Sequence, residues 1–336
     1  MTVRGWGSLR SFAFAAPLVA ALAVDAKPHY RELDITSLGN ARPFAINDAG
    51  IIAMQTLVAG QLVSFLFDSG TGQIVHTFPA DDGVTALSDN GNAAGRSRLS
   101  GAWFVGQDGV RIGIPTLQQA LGVNDAGVIA GMGGGFFVRG VVYSTADGTS
   151  TLLSLGGTQS AALAINSSGQ VTGWSTLPDN VTAHAFRWSE GTLEDLGTLG
   201  GDGHSIGNAI DEDGRVVGRA TTSSGEDHAF IRDREGMHDL GTLPGCTWSE
   251  ATGINDKGRI VGTSKFCTSF ADEHAFLFRN GRLFDLNDLA PAADGFTYVR
   301  AFGINGAGTI IGFAVSAFAQ RPFVLVRDIA DDGDDD

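Results

Sequence analysis

The sequence predicts an all-β fold: a seven-bladed β-propeller with four-stranded blades, its ring closed by an N-terminal strand in the last blade. Three observations lead there. A short hairpin motif recurs seven times. Its period, about forty residues, is that of propellers and solenoids. The last copy lacks one strand, and a counterpart of that strand stands near the start of the chain.

The hairpin motif is an apolar residue, Asn or a stand-in, two turn residues, Gly, and then an apolar strand. Its copies are Ile46-Asn47-Asp48-Ala49-Gly50, Leu87-Ser88-Asp89-Asn90-Gly91, Val123-Asn124-Asp125-Ala126-Gly127 and Ile165-Asn166-Ser167-Ser168-Gly169. Ile210-Asp211-Glu212-Asp213-Gly214, Ile254-Asn255-Asp256-Lys257-Gly258 and Ile304-Asn305-Gly306-Ala307-Gly308 follow. The Asn, Ser or Asp side chain is expected to accept a backbone N–H two residues on, and the Gly to supply a positive φ. Two residues before each Asn position stands Ala or Gly. A second column after the hairpin is Gly95, Gly131, Gly173, Gly218, Gly262 and Gly312, with Met54 the exception. Both columns suit inner strands crowded against an axis.

The second half of each unit is clearest in the middle copies. His184-Ala185-Phe186 leads to Asp195-Leu196-Gly197-Thr198-Leu199, His228-Ala229-Phe230 to Asp239-Leu240-Gly241, and His274-Ala275-Phe276 to Asp285-Leu286. Each stretch reads as two short strands and a turn, which brings the unit to four strands. In these residues the chain resembles the HAF-repeat family of extracellular repeat proteins. Residues 152–286 carry the motifs in full, and residues 31–151 and 287–327 carry weaker copies. Phe65, Trp103 and Val142 take the Phe position in the first three copies, without a His. The resemblance implies an extracellular location and assigns no activity.

Closure follows from the seventh copy. Arg321-Pro322-Phe323-Val324-Leu325 is its third strand, and no Asp-Leu-Gly strand comes after it. Asp34-Ile35-Thr36-Ser37-Leu38-Gly39 would supply the fourth and cover an open edge. Arg321 then stands in the His column and Asp34 in the Asp column, so an Arg321–Asp34 pair is expected at the closure.

The ends and the composition set the setting. Arg4 and Arg10, the apolar residues 12–24 and the small residues up to Ala26 read as a secretory signal peptide over 1–26. The propeller then takes residues 27–330 and an acidic tail 331–336, with no membrane span left after signal cleavage and an extracellular or periplasmic location. A formal charge of -15 argues against nucleic-acid partners. Cys246 and Cys267 are the only cysteines and lie symmetrically about the sixth hairpin, so they are expected to form a disulfide.

The constellations that could carry chemistry are absorbed by the repeat. His184–Asp195, His228–Asp239 and His274–Asp285 share one spacing of eleven residues. A catalytic site is normally singular, so three copies read as structural hydrogen bonds. Gly203-His204-Ser205-Ile206-Gly207 matches a nucleophile elbow, but Ser160 and Ser249 hold the same offset in their copies. No catalytic residue, metal or cofactor is assigned. The expected function is a monomeric extracellular binding or scaffold module for an unidentified protein or glycan. Its alternatives are a polysaccharide lyase or hydrolase with a site at the channel mouth, and a structural envelope or matrix component. Trp174, Trp248, His76, His204, His238 and Arg300 stand outside the repeat and are the candidates for a ligand site.

Overall fold

Seven antiparallel four-stranded sheets form the ring, and the first strand of each packs against the first strands of its neighbours around a central channel. The computed structural model describes residues 29–328 except 135–136, 269–271, 291 and 293–294. The readings of residues 1–26 as a signal peptide and 331–336 as an acidic tail fall outside the described residues. Each Asn-type hairpin joins the first and second strands of its blade. All seven glycines at its end have positive φ, between 70° and 93°.

Apolar side chains form a sandwich between each pair of adjacent blades rather than one central core. Between blades 7 and 1 lie Ile35, Ile52, Phe65, Ile311 and Val324. Between blades 5 and 6 lie Val217, Leu240, Ala251, Ile260 and Phe276. The Phe of each His-Ala-Phe is fully buried, as is Phe323 in blade 7. Burying such a side chain contributes about 1.5–3 kcal/mol, so the repeated Phe is a main source of cohesion between blades.

Every first strand carries a bulge at an equivalent residue: 44, 85, 121, 163, 208, 252 and 302. The Ala/Gly column follows directly after it, where first strands approach closely. A Cβ on Gly253 would lie 3.1 Å from the Gly303 Cα. The second Gly column has a different cause from the expected crowding at the axis. A Cβ on Gly173 or Gly218 would lie 1.9 Å or 1.8 Å from a carbonyl oxygen just before the bulge of the same sheet. These glycines also face the Phe column. In blade 3 the residue opposite Gly131 is Val141, so Val141 and not Val142 takes the Phe position.

The fourth strands are shorter than expected. Thr192–Asp195 and Arg282–Asp285 end at the Asp, and Met237–Gly241 ends just beyond it. The Leu that follows is buried, and the Gly-Thr-Leu segment turns toward the next blade. The Asp carboxylate terminates the strand by accepting the N–H two residues on, from Gly197 at 2.9 Å, Gly241 at 2.7 Å and Asn287 at 2.9 Å.

The ring is closed by the N-terminal strand in blade 7, but the strand is Tyr30–Glu32 rather than the stretch that starts at Asp34. Tyr30 pairs with Arg327 and Glu32 with Leu325, and the Leu33 N–H still reaches the Val324 carbonyl at 2.9 Å. Residues Thr36–Leu38 form a 3-10 turn instead. The expected Arg321–Asp34 pair is therefore replaced. Arg321 forks onto Glu32, with Nη2 3.0 Å from Oε2. Asp34 accepts the Thr36 N–H at 3.0 Å and the Thr36 hydroxyl at 2.7 Å. Asp34 thus plays the same turn-forming part as Asp195, which is why it aligned. Its turn bends the chain away from the strand and leaves Glu32 as the carboxylate Arg321 meets.

Candidate functional site

The channel has two unlike mouths. At the hairpin end, the Asn side chains do two things at once. Each Oδ1 accepts the N–H four residues on, not two as expected: Ile51, Val128, Gln170, Arg259 and Thr309 at 2.8–3.0 Å. Each Nδ2 then donates to a hairpin carbonyl of the next blade. Asn47 reaches Ser88, Asn124 reaches Asn166, Asn166 reaches Asp211, and Asn255 reaches Asn305, at 2.8–3.1 Å. Asn305 reaches Asn47 at 3.1 Å and completes the circle.

Two blades lack the donor, and in both the residue four positions on supplies it. Ser88 cannot reach, and Asn92 Nδ2 donates to the Asn124 carbonyl at 3.1 Å. Asp211 has no proton to give, and Arg215 Nη2 donates to the Asp256 carbonyl at 3.1 Å while its Nε holds Asp211. Outside this circle, Asp89, Asp125, Glu212, Asp256 and Asp48 each accept a backbone N–H from the preceding blade. Burial raises the Asp89 carboxyl pKa, the bond from the Asp48 N–H opposes it, and the charges of Asp48, Asp125 and Glu212 add to the rise. The recess here is about 210 Å³, and its carboxylates other than Asp211 serve as inter-blade acceptors.

The opposite mouth, at the end of the ring that carries the loops between second and third strands, breaks the repeat. Three bulge residues are polar and tie blades together: Thr85 to the Ala120 carbonyl at 2.6 Å, Asn208 to Ala251 at 2.9 Å, and Thr252 to Ala301 at 2.8 Å. The other four, Phe44, Leu121, Leu163 and Phe302, line the channel with apolar surface. Beside Phe302 a recess of about 260 Å³ is lined by Arg42, Glu273, Arg300, Phe313 and Gln320. The Arg42 guanidinium lies 5.3 Å from the Phe313 ring centroid. Arg300 forks onto Glu273 at 2.7 and 2.9 Å. Burial alone would raise the Glu273 carboxyl, but the Arg300 hydrogen bond and the charges of Lys265 and Arg300 hold it below the usual range.

The other residues singled out in the sequence lie apart from this mouth. His184, His228 and His274 place Nδ1 at 2.9, 2.9 and 2.6 Å from Asp195, Asp239 and Asp285, each pair within its own blade. The pairs are diagonal across adjacent strands, since Asp195 lies opposite Phe186. Among the described residues no group of three or more His, Cys, Asp or Glu side chains could hold a metal ion. Ser205 accepts the Ala185 N–H and donates to the Gly197 carbonyl, at 2.8 and 2.5 Å, and Ser249 does the same with Ala229 and Gly241. Cys246 and Cys267 form a disulfide that brackets the first hairpin of blade 6. His76 stacks on Phe78, His238 meets Asp233, and Trp248 lies against Lys265. Arg300 alone of the sequence candidates belongs to the mouth. Arg42, Phe44, Phe302 and Phe313 were missed. The signal for two of them was a Phe in the bulge column, where other blades have Thr, Asn or Leu.

Compared by sequence, no protein-family model and no curated protein matches the chain. Among solved structures it is similar to the β-propeller domain of the Trilobed protease from Pyrococcus furiosus. The identity is 11% over 85% of this chain and 93% of that one, with a TM-score of 0.55. It is also similar to an acylaminoacyl peptidase in complex with Z-Gly-Gly-Phe-chloromethyl ketone, at 12% identity over 82% of this chain and 50% of that one, with a TM-score of 0.51. At these identities the likeness shows the propeller fold alone. The Pyrococcus domain has an open velcro topology, whereas here the strand Tyr30–Glu32 completes blade 7.

Proposed function

We propose that this propeller is an exported HAF-type repeat protein that acts as a binding or scaffold module, and that its protein or glycan ligand sits at the loop-side mouth. One observation carries the reading. Around that mouth Arg42, Phe44, Phe302 and Phe313 interrupt the sevenfold pattern, while the polar groups of the other mouth are used between blades. Aromatic rings beside a guanidinium offer both a stacking face and a charged donor, which suits a sugar ring or a peptide segment. Export is supported by the N-terminal succession of charge, apolar run and small residues, and by the disulfide.

The test is a glycan array probed with the purified chain and with Arg42→Ala/Phe302→Ala. Binding of one glycan class, weakened at least about tenfold in the variant, is the expected result, equal to about 1.4 kcal/mol. Equal binding by both proteins would move the site elsewhere. Turnover of the bound glycan would replace the binding reading with an enzymatic one. Intact mass of exported protein checks the leader: retention of residues 1–24 would end the cleavage reading.

A further inference from the structure

Among the described residues thirteen large apolar side chains are exposed, and nine of them stand at one end of the ring. Eight of these sit on or directly beside the connections between second and third strands: Leu57 and Val58 at the end of the second strand of blade 1, and Leu99, Phe137 and Val138, Val181, Phe266 and Phe318 on the connections themselves. The ninth is Phe44, in the channel mouth. The hairpin end has one, Val110. Phe318 is fully exposed, Leu99 is 90%, Val181 75% and Leu57 71% exposed. Blade 5 alone has a wholly polar tip, Ser223-Ser224-Gly225-Glu226. Blades 6, 7, 1, 2, 3 and 4 therefore present an unbroken arc of apolar tips.

Cations accompany that arc. Arg42 starts the first strand of blade 1, Arg96 and Arg98 precede Leu99, and Arg139 follows Val138. None of the four has a carboxylate within ion-pair distance among the described residues, although Asp81 stands in the same sector. Exposed acids also stand at this end, Asp272 on the blade 6 connection, Asp34 before blade 1 and Asp179 beside Val181 in blade 4, while Glu226 belongs to blade 5, off the arc; the four arginines gather in blades 1 to 3. We propose that this arc docks the propeller on a phospholipid surface, the apolar tips entering the interface and the arginines meeting lipid phosphates.

Two features favour lipid over a protein. One or two side chains on each of six separate tips would each need a matching socket on a rigid partner, whereas a lipid interface deforms around them. Arg96 and Arg98 are also placed among the tips with no carboxylate in ion-pair distance, where they complement phosphate without requiring a net anionic membrane, while Arg139 donates to the Gly157 carbonyl and Arg42 lies over Phe313. The chain's charge of -15 would oppose an anionic one. The inference goes beyond the ligand site, because the apolar loop tips and the channel mouth are different side chains, with Arg42 alone shared, and the tips can be altered separately.

The experiment is co-sedimentation of the full chain with phosphatidylcholine vesicles. One variant replaces the tips, Leu57→Ser/Leu99→Ser/Phe266→Ser/Phe318→Ser. A control replaces exposed apolar residues on outer strands, Ile74→Ser/Val75→Ser/Leu152→Ser. All proteins keep the same N-terminal segment, and the altered residues are exposed, so melting temperatures should match. The tip variant should partition at least about tenfold less than the parent, and the control should stay within about twofold. Phe318→Trp should show a blue shift on adding vesicles and quenching by brominated lipid. The proposal is overturned if the parent does not bind vesicles, if both variants bind as it does, or if both lose binding alike. It is equally overturned if the tip residues instead support dimerisation of the free protein, read by light scattering.

Discussion

Each of the five hairpin Asn residues serves its own hairpin and the next blade together, and where Ser88 or Asp211 stands instead, the residue four positions on serves the next blade. Arg215 is the most exposed case. It supplies the donor to the Asp256 carbonyl and pairs through Nε with the buried Asp211 carboxylate at 2.5 Å. Arg215→Ala should cost on the order of 2–3 kcal/mol, less than a fully buried pair because Arg215 is partly solvated. Asp211→Asn with Arg215→Ala should recover much of that, since Asn restores the donor and removes the charge. Thermal unfolding of the two variants checks this, and equal losses would refute the division of labour. The Asn position was legible in the sequence because it recurs. Its partners were not, because they lie in the next blade and no local spacing records which carbonyl comes within reach.

Tyr298 supplies a second prediction at this scale. It is fully buried and donates its hydroxyl to Glu32 at 2.9 Å. Burial, joined by the Glu32 charge and hydrogen bond, pushes its phenol far above the usual value of 10.0. A raised folded-state pKa means that stability is fully present below the unfolded pKa and is lost as pH rises beyond it. Unfolding free energy should therefore fall above about pH 10. Tyr298→Phe should be less stable near neutrality but lose less with alkali. A parallel alkaline slope in both proteins would show that Tyr298 does not titrate into the unfolded state as described.

At the scale of the element, the disulfide and the bulges teach different lessons. The Cys246–Cys267 bridge was read from symmetry about a hairpin, although the pairing beside the turn, Ile254 with Ile260, is one residue off that symmetry and it is the bulge at 252 that brings the strand ends into it. Trp248 pairs with Lys265, two steps inside the bridge. Cys246→Ser/Cys267→Ser should lower stability by on the order of 3 kcal/mol in the chain-entropy account. Hydrogen exchange should quicken first at residues 245–268, and exchange that quickened uniformly around the ring would count against a local role. The bulges were not readable. A bulge has no residue of its own, and positions 44, 85, 121, 163, 208, 252 and 302 hold Phe, Thr, Leu, Leu, Asn, Thr and Phe. Only the Gly column opposite hinted at them, and its crowding was assigned to the axis rather than to a carbonyl in the same sheet.

For the whole molecule, the decisive contact is between the ends of the chain. Counting strands showed that blade 7 needed one from the N-terminus. The Asp column placed it a few residues too late, because Asp34 marks the turn after the strand, as Asp195 does in blade 4. The closing strand buries Tyr30, carries Glu32 to Arg321 and Tyr298, and ends with the Asp328 N–H on the His29 carbonyl at 3.0 Å. The Asn305–Asn47 contact reinforces the same junction from the channel side. Removing residues 1–33 should then do two things. It should cost on the order of 4 kcal/mol or more, from lost Tyr30 burial and lost ladder bonds. It should also expose Gln320–Arg327 as an unprotected edge, so the truncated protein should self-associate. Asp34→Asn should have little effect, because its partners are the exposed Thr36 groups. Glu32→Gln should fall between them, since it weakens the Arg321 fork but keeps a hydrogen bond to Tyr298. Melting temperature and light scattering rank the four proteins. An order in which Asp34→Asn exceeds Glu32→Gln would return the closing pair to Asp34, and a truncated monomer with unchanged melting would remove the N-terminal strand from the ring's stability altogether.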